Sequence, residues 1–230
     1  MSRHKLKKFA QLTTLPNYYD NLDVRDPLNI VREGQIAQVK GNWHIECFKN
    51  NNPITLELAC GRGEYAVALG KMFPERNFLG VDIKGARIHQ GASAALEMGL
   101  NNVAFLRTRI EIIEHFFEKN EIAEIWITFP DPFLRDTKAD KRLTSVPFLN
   151  RYLQFLQPEG MVHLKTDSPE LYDFTRQICK NTEGVKLLFC DDDIHAKPLI
   201  MNELSVQTYY EKANIARSTI KYIRFSLSEK

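Results

Sequence analysis

Ile54-Thr55-Leu56-Glu57-Leu58-Ala59-Cys60-Gly61-Arg62-Gly63 is the stretch that decides how this chain is read. Its first six residues are apolar and partly β-branched, the make-up of a short buried strand. They run directly into a two-glycine turn. Glu64 to Phe73 follows, with Tyr65, Leu69 and Met72 spaced to share one helical face, and Pro74 stops it. A strand, a glycine turn and a helix open the nucleotide-binding half of a doubly wound sheet.

The alternation continues downstream. Asn77 to Asp82, Val103 to Arg107, Ile122 to Phe129 and Gly160 to Thr166 read as strands. Ala86 to Met98, Ile110 to Lys119, Phe148 to Leu156 and Pro169 to Lys180 read as helices, and Gly99 supplies a C-terminal cap for the first of these. Val185 to Cys190 and Ile220 to Leu227 add two strands with no clear helix between them. The expected fold is α/β and Rossmann-like: a mainly parallel, seven-stranded sheet with helices on both faces and an antiparallel C-terminal edge. Residues 1–50 lack this periodicity. They are expected to form an irregular, basic N-terminal extension with one short helix near Ile30 to Lys40, and residues 51–230 the main domain.

Composition narrows the class further. The chain has 230 residues, 43% apolar and 26% charged, which suits one globular domain and argues against global disorder. No apolar run approaches the roughly 20 residues of a membrane span. The basic start, Met1 to Lys8, lacks an apolar stretch behind it, so no signal peptide is expected. Cys47, Cys60, Cys179 and Cys190 are scattered, which predicts neither a zinc site nor a disulfide framework and suits a reducing cytoplasm. Net charge is +2, so an anionic polymer would have to be held by local patches. Two are visible: Arg3, His4, Lys5, Lys7 and Lys8 at the start, and Arg135, Lys138, Lys141 and Arg142.

Two cofactors compete for the glycine loop. Gly61 to Ala66 fits G-x-G-x-x-(G/A), and Asp82 ends the next strand, where a carboxylate can accept from both ribose hydroxyls. That serves NAD and S-adenosylmethionine equally. Glu57, inside the first strand, separates them. A carboxylate there repels a pyrophosphate but suits the ammonium and sulfonium of S-adenosylmethionine.

The fourth strand carries the second signal. Trp126-Ile127-Thr128-Phe129-Pro130-Asp131-Pro132-Phe133 runs a buried strand into two prolines that bracket an acid. Prolines stiffen the loop and hold Asp131 at the carboxyl end of the sheet. The basic segment from Arg135 to Arg142 follows at once.

With these motifs in place the chain resembles the bacterial tRNA (guanine-N7)-methyltransferase family, whose members are class I S-adenosylmethionine-dependent enzymes. The resemblance also rests on Lys141-Arg142-Leu143-Thr144, His163-Leu164-Lys165-Thr166-Asp167 and Thr208-Tyr209-Tyr210-Glu211, and spans about Ile54 to Leu227. It implies methyl transfer to N7 of a variable-loop guanine, position 46 of tRNA. It implies S-adenosylmethionine as cofactor, held by Glu57, Gly61, Gly63, Asp82, Arg109 and Asp131. Asp131 is the implied catalytic residue, and Arg135, Asp167, Thr208 and Glu211 are the implied substrate contacts. tRNA is the implied partner, with no membrane, no metal and no protein partner; a monomer and a homodimer both fit.

The chain departs from the family at four places. Ala59 replaces a usual glycine, which is tolerated if φ there is negative. Phe133 replaces a tryptophan, and Tyr209 a basic residue. Arg109 stands where the family has Asp or Asn near the adenine, which leaves Thr108, a backbone amide or Arg109 itself to read that ring. Guanine N7 has a free lone pair and loses no proton, so alignment and carboxylates that stabilise the cationic product suffice. Asp131, Asp167 and Glu211 are the acids available for this. Arg135, Lys138, Lys141 and Arg142 are expected to hold phosphates, with pairing of Arg142 to Asp136 or Asp140 as the alternative. Three other readings stay open: an exocyclic-amine methyltransferase, an NAD-dependent oxidoreductase and an RNA-binding protein with a degenerate cofactor site.

Overall fold

The computed structural model describes residues 9–213 and 219–228. The basic cluster Arg3 to Lys8 lies outside the described residues. Seven strands follow residue 50: β4 (Ile54–Leu58), β5 (Asn77–Asp82), β6 (Val103–Arg107), β7 (Ile122–Thr128), β8 (Leu156–Thr166), β9 (Val185–Asp191) and β10 (Lys221–Leu227). Three short ones precede it: β1 (Tyr18–Asp20), β2 (Val31–Arg32) and β3 (Gln35–Ile36). Among the described residues these ten strands join one sheet in the order β3-β2-β1-β6-β5-β4-β7-β8-β10-β9. The expected count of seven is therefore three short of the sheet. The antiparallel C-terminal edge is present, since β10 runs antiparallel to both β8 and β9.

The N-terminal segment differs most from expectation. Tyr18–Asp20 pairs in parallel with Phe105–Arg107 and extends the sheet beyond β6. In place of a helix near Ile30 to Lys40, β2 and β3 form a tight hairpin around Glu33 and Gly34, both with left-handed φ (48° and 79°). Two left-handed residues are what a two-residue hairpin turn requires. Trp43, fully buried, begins a π-helical turn (Trp43–Phe48). Its Nε1–H donates to the Phe116 carbonyl at 2.9 Å, and its ring meets Tyr19 edge-on. These aromatics lie too far apart in sequence for any periodicity to show them.

Strand alternation gives the sheet two apolar faces. Leu56, Leu58, Leu79, Val81, Ile125 and Ile127 pack with Trp43, Phe116 and helices α3 (Val146–Tyr152) and α4 (Pro169–Asn181). Phe78, Phe105, Trp126 and Tyr222 pack on the other face with helices α1 (Glu64–Met72) and α2 (Gly85–Glu97). The segment expected as a helix from Ile110 to Lys119 is a 3₁₀ turn over Ile110–Phe116, interrupted at Ile112. His163 is fully buried and stacked on Trp126 at 4.1 Å, a packed residue, and burial holds its pKa below the usual imidazole range. No helix among the described residues is long and apolar enough to cross a membrane.

The chain leaves β4 for β5 and β6 on one side, then returns to β7 and β8 on the other. The crevice beyond the carboxyl ends of β4 and β7 is where such sheets bind ligands. If the N-terminal segment is part of the core, Trp43→Ala should cost about 3–5 kcal/mol of unfolding free energy. A denaturant titration checks this; a loss under about 1 kcal/mol would mean that the segment packs only loosely.

Candidate active site

The crevice begins with backbone geometry. Ala59, Gly61 and Gly63 all have left-handed φ, at 58°, 57° and 70°. The condition under which Ala59 would be tolerated without cost, a negative φ, is not met: the alanine occupies a conformation that costs an L-residue roughly 1–2 kcal/mol. Gly63 is required for packing as well, since a Cβ there would lie 2.3 Å from the Phe105 ring. Gly61 has no neighbour in that direction and opens to the crevice.

Glu57 lies beneath this loop. One carboxylate oxygen accepts the Ala66 N–H in the first turn of α1, and the other accepts the Thr128 hydroxyl at the end of β7, both at 2.9 Å. Burial pushes its pKa up to about 8 against those two bonds, and Asp82 and Glu64 add to the rise. Asp82 is also buried, and accepts the Gly61 N–H at 2.9 Å and the Lys84 N–H at 2.7 Å. It thus joins the glycine loop to the start of α2.

Two cavities meet here. One, of about 320 Å³, is lined by Asp82, Thr108, Arg109, Asp131 and Phe133 among others. The second, of about 260 Å³, is lined by Glu57, Gly61, Glu64, Thr128, Thr208 and Tyr209 among others. Ala59, Arg87 and Phe129 line both. A separate cavity of about 340 Å³ lies on the N-terminal segment beside Tyr18, Asp20 and Glu33, and no expected site residue lines it. Gly63, Arg135, Asp167 and Glu211 line neither of the two joined cavities.

The Phe129–Phe133 loop is held under strain. Both phenylalanines have left-handed φ, 48° and 43°, an uncommon state for bulky residues. Phe129 N–H donates to the Lys165 carbonyl at 2.8 Å. Arg142 supplies the remaining restraint. Its Nε donates to the carbonyls of Pro132 and Phe133 at 3.1 and 3.2 Å, and its Nη2 to Phe133 at 2.9 Å. Its guanidinium lies 4.4 Å from the Phe174 ring centroid, and the residue is buried. Arg142 therefore shapes the loop through backbone carbonyls, rather than through Asp136 or Asp140, and is not free to meet a phosphate. Asp131 stands exposed on the resulting turn. Arg135, Lys138 and Lys141 stay exposed beside it.

The opposite wall comes from the C-terminal segment. Thr208 caps a four-residue helix, α5 (Tyr209–Lys212), and Glu211 closes a reciprocal capping box with it. Lys165, with its side chain fully buried, reaches the Glu211 carboxylate at 2.9 Å and the Val206 carbonyl at 2.8 Å. The Glu211 carboxylate is thus committed inside the protein. Asp167 is half-buried and accepts the Tyr210 hydroxyl at 3.3 Å. Tyr209 N–H donates to Glu64 at 2.6 Å, and Arg62 lies 3.7 Å over the Tyr209 ring. Lys165 and Arg62 were quoted in sequence motifs with no role assigned. A lysine mid-strand in an apolar run is the one signal that pointed to the first.

A family profile described as "putative methyltransferase" matches residues 51–222. A tRNA (guanine-N(7)-)-methyltransferase of Bacteroides fragilis is 46% identical over 230 residues, covering 100% of this chain and 88% of the relative. One from Porphyromonas gingivalis is 51% identical over 193 residues, covering 83% of this chain and 78% of the relative. The chain belongs to the tRNA (guanine-N(7)-)-methyltransferase family. Among solved structures, the 16S rRNA methyltransferase KamB superposes with a TM-score of 0.60 at 14% identity, over 85% of this chain and 97% of that one, a likeness of fold.

The cofactor of this class is S-adenosylmethionine, and the residues present fit it. Thr108 is fully buried, lines the larger cavity, and has an Oγ1 with no hydrogen-bond partner among the described residues. It could take the adenine edge that the family's Asp or Asn would otherwise serve. Asp82 could take the ribose, and Ile83 and Ile110, which line the same cavity, offer apolar flanks to the ring. Glu64 gives the smaller cavity negative character that suits a sulfonium and an ammonium, and a cation seated there would favour the ionised form of Glu57.

The raised pKa of Glu57 has a definite sign. The folded protein holds that proton more tightly than the unfolded chain, so stability is lost as pH rises from about 4.5 to about 8. Glu57→Gln should remove this loss. The stability difference between wild type and variant should shift towards the variant by an amount on the order of a few kcal/mol across that window. Parallel denaturant curves at pH 5 and 8.5 give the answer; an unchanged difference would place the ionised form of Glu57 in the fold. At Ala59, Ala59→Gly should raise stability by about 0.5–1 kcal/mol, read as a higher urea midpoint at constant slope.

Proposed function

We propose that the protein transfers a methyl group from S-adenosylmethionine to N7 of the variable-loop guanine at position 46 of tRNA, in the cytoplasm. The observation that carries this reading is the position of Asp131. It sits on a strained, arginine-clamped loop at the rim of the cofactor cavity, beside Phe129, whose ring packs on Tyr210 at 5.3 Å. Identity of 46% along the whole chain to a relative named for this reaction supports it.

The methyl donor supplies an electrophilic methyl and a neutral leaving group. The chain's own residues supply position and charge. Glu57 and Asp82 fix the glycine loop and the first turn of α1, and would hold the donor in the crevice between that loop and Phe129. Phe129 and Phe133 offer flat apolar surface to the purine. Asp131 and Asp167 are assigned to the guanine N1–H and N2 amino group, donors that adenine lacks on that edge. Their negative charge stabilises the purinium that forms, and no residue has to remove a proton. Glu211, whose carboxylate Lys165 holds, acts by fixing the Thr208 turn, and Arg142 by fixing the Asp131 turn. Residues 51–230 form the methyltransferase domain in this proposal, and residues 1–50 an extension packed against it.

Incubation with labelled S-adenosylmethionine and unmodified tRNA, then borohydride and aniline, tests the whole reading. N7-methylguanine makes the chain cleavable at that nucleotide, so a single cut in the variable loop is the expected result. Incorporation without cleavage would move the reaction to an exocyclic amine. Asp131→Ala should lose at least about two orders of magnitude in methyl transfer, the scale of a lost transition-state electrostatic contact. Its cofactor affinity should change little. Full turnover in that variant would remove Asp131 from the mechanism.

A further inference from the structure

The rim of the larger cavity carries cations that its cofactor does not need. Lys84, Arg87 and Arg109 all line this cavity, all are exposed, and none has a side-chain ion pair or hydrogen bond among the described residues. Three other arginines, by contrast, are engaged: Arg76 with Glu203, Arg107 with Asp20, Arg142 with the loop carbonyls. S-adenosylmethionine is itself a net cation, so a cationic rim opposes its entry. Fold stability does not account for these side chains either. Lys84 occupies the N-cap position of α2 without a side-chain capping bond and Arg87 lies in its first turn, where the helix field disfavours positive charge, and that turn holds no acid. Three acids line the same cavity: Asp82 is buried and bonded to the Gly61 and Lys84 N–H groups, and the exposed Glu111 and Asp131 are outnumbered by four exposed cations, Lys84, Arg87, Arg109 and Lys141. An excess of unpaired cation at a cavity mouth calls for an anion from outside, and a phosphodiester backbone is the anion that the proposed substrate brings.

We propose that Lys84, Arg87 and Arg109 form a phosphate-binding ledge on the adenosine side of the mouth, which lays the RNA backbone across the cofactor cavity next to the target nucleotide. The ledge rests on the tRNA reading above. It changes the basic surface expected from sequence: Arg142 leaves that surface, and Lys84 and Arg87 at the start of α2 and Arg109 after β6 join it. Lys141, on the same cavity, continues the cationic rim towards Lys138 and Arg135. Arg109 then faces RNA rather than adenine, and Thr108, one residue earlier, keeps the buried position.

The test is the triple variant Lys84→Gln, Arg87→Gln, Arg109→Gln. tRNA affinity is measured against salt between about 50 and 200 mM, beside calorimetric S-adenosylmethionine binding and methyl transfer. Each lost phosphate contact removes about 0.7–0.9 from the slope of log affinity against log salt, so the slope should flatten by about two. The KM for tRNA should rise about tenfold or more, with cofactor affinity within about threefold of wild type. A wild type that methylates tRNA, with a variant of unchanged slope, overturns the ledge alone. Weakened cofactor binding with an intact slope also overturns it and assigns Arg87 or Arg109 to the cofactor. A wild type that transfers no methyl to tRNA overturns the tRNA reading and the ledge with it.

Discussion

Glu57 is the buried acid around which the crevice is assembled. Its two oxygens tie the first turn of α1 to the end of β7, while its own backbone lies in β4 between β5 and β7. Three elements that diverge at the switch point are thereby held at one spot. Burying a carboxylate there is unfavourable, and the raised pKa reports it. In the proposed reaction the crevice would receive a cation, which would offset that cost.

Backbone strain gathers around the same crevice. Ala59 on one wall and Phe129 and Phe133 on the other hold left-handed conformations that none of these residue types favours. Such strain persists only where the surroundings over-determine it. Around the Asp131 loop, Arg142 does so with three N–H···O contacts, and Lys165 does so through its carbonyl. The result is an exposed carboxylate on a turn with little freedom, suited to a reaction that depends on alignment rather than on proton transfer.

Charge is divided by depth in this molecule. Acids and cations that meet in the protein interior satisfy one another: Lys165 with Glu211, and Arg76 with Glu124 and Glu203. Those on the rim, Lys84, Arg87 and Arg109, and Arg135 beyond it, are left unpaired among the described residues. A near-neutral chain can therefore present a cationic mouth without a basic composition.

Much of this was legible in the sequence. The strand–glycine–helix unit, the alternation behind it and the Phe-Pro-Asp-Pro-Phe turn are local patterns, and local patterns follow from side-chain period and backbone sterics. They determined the α/β class, the crevice and the acids Glu57, Asp82 and Asp131 that line it. Tertiary structure alone decided the rest. It brought Tyr19 and Trp43 into the core, turned Arg142 from a phosphate contact into a loop clamp, and closed Glu211 onto Lys165. It also separated Thr108, buried, from Arg109, exposed. Each of these depends on which partner a side chain meets across dozens of residues. No period or spacing encodes such a meeting, because the chain's path through the sheet brings the partners together.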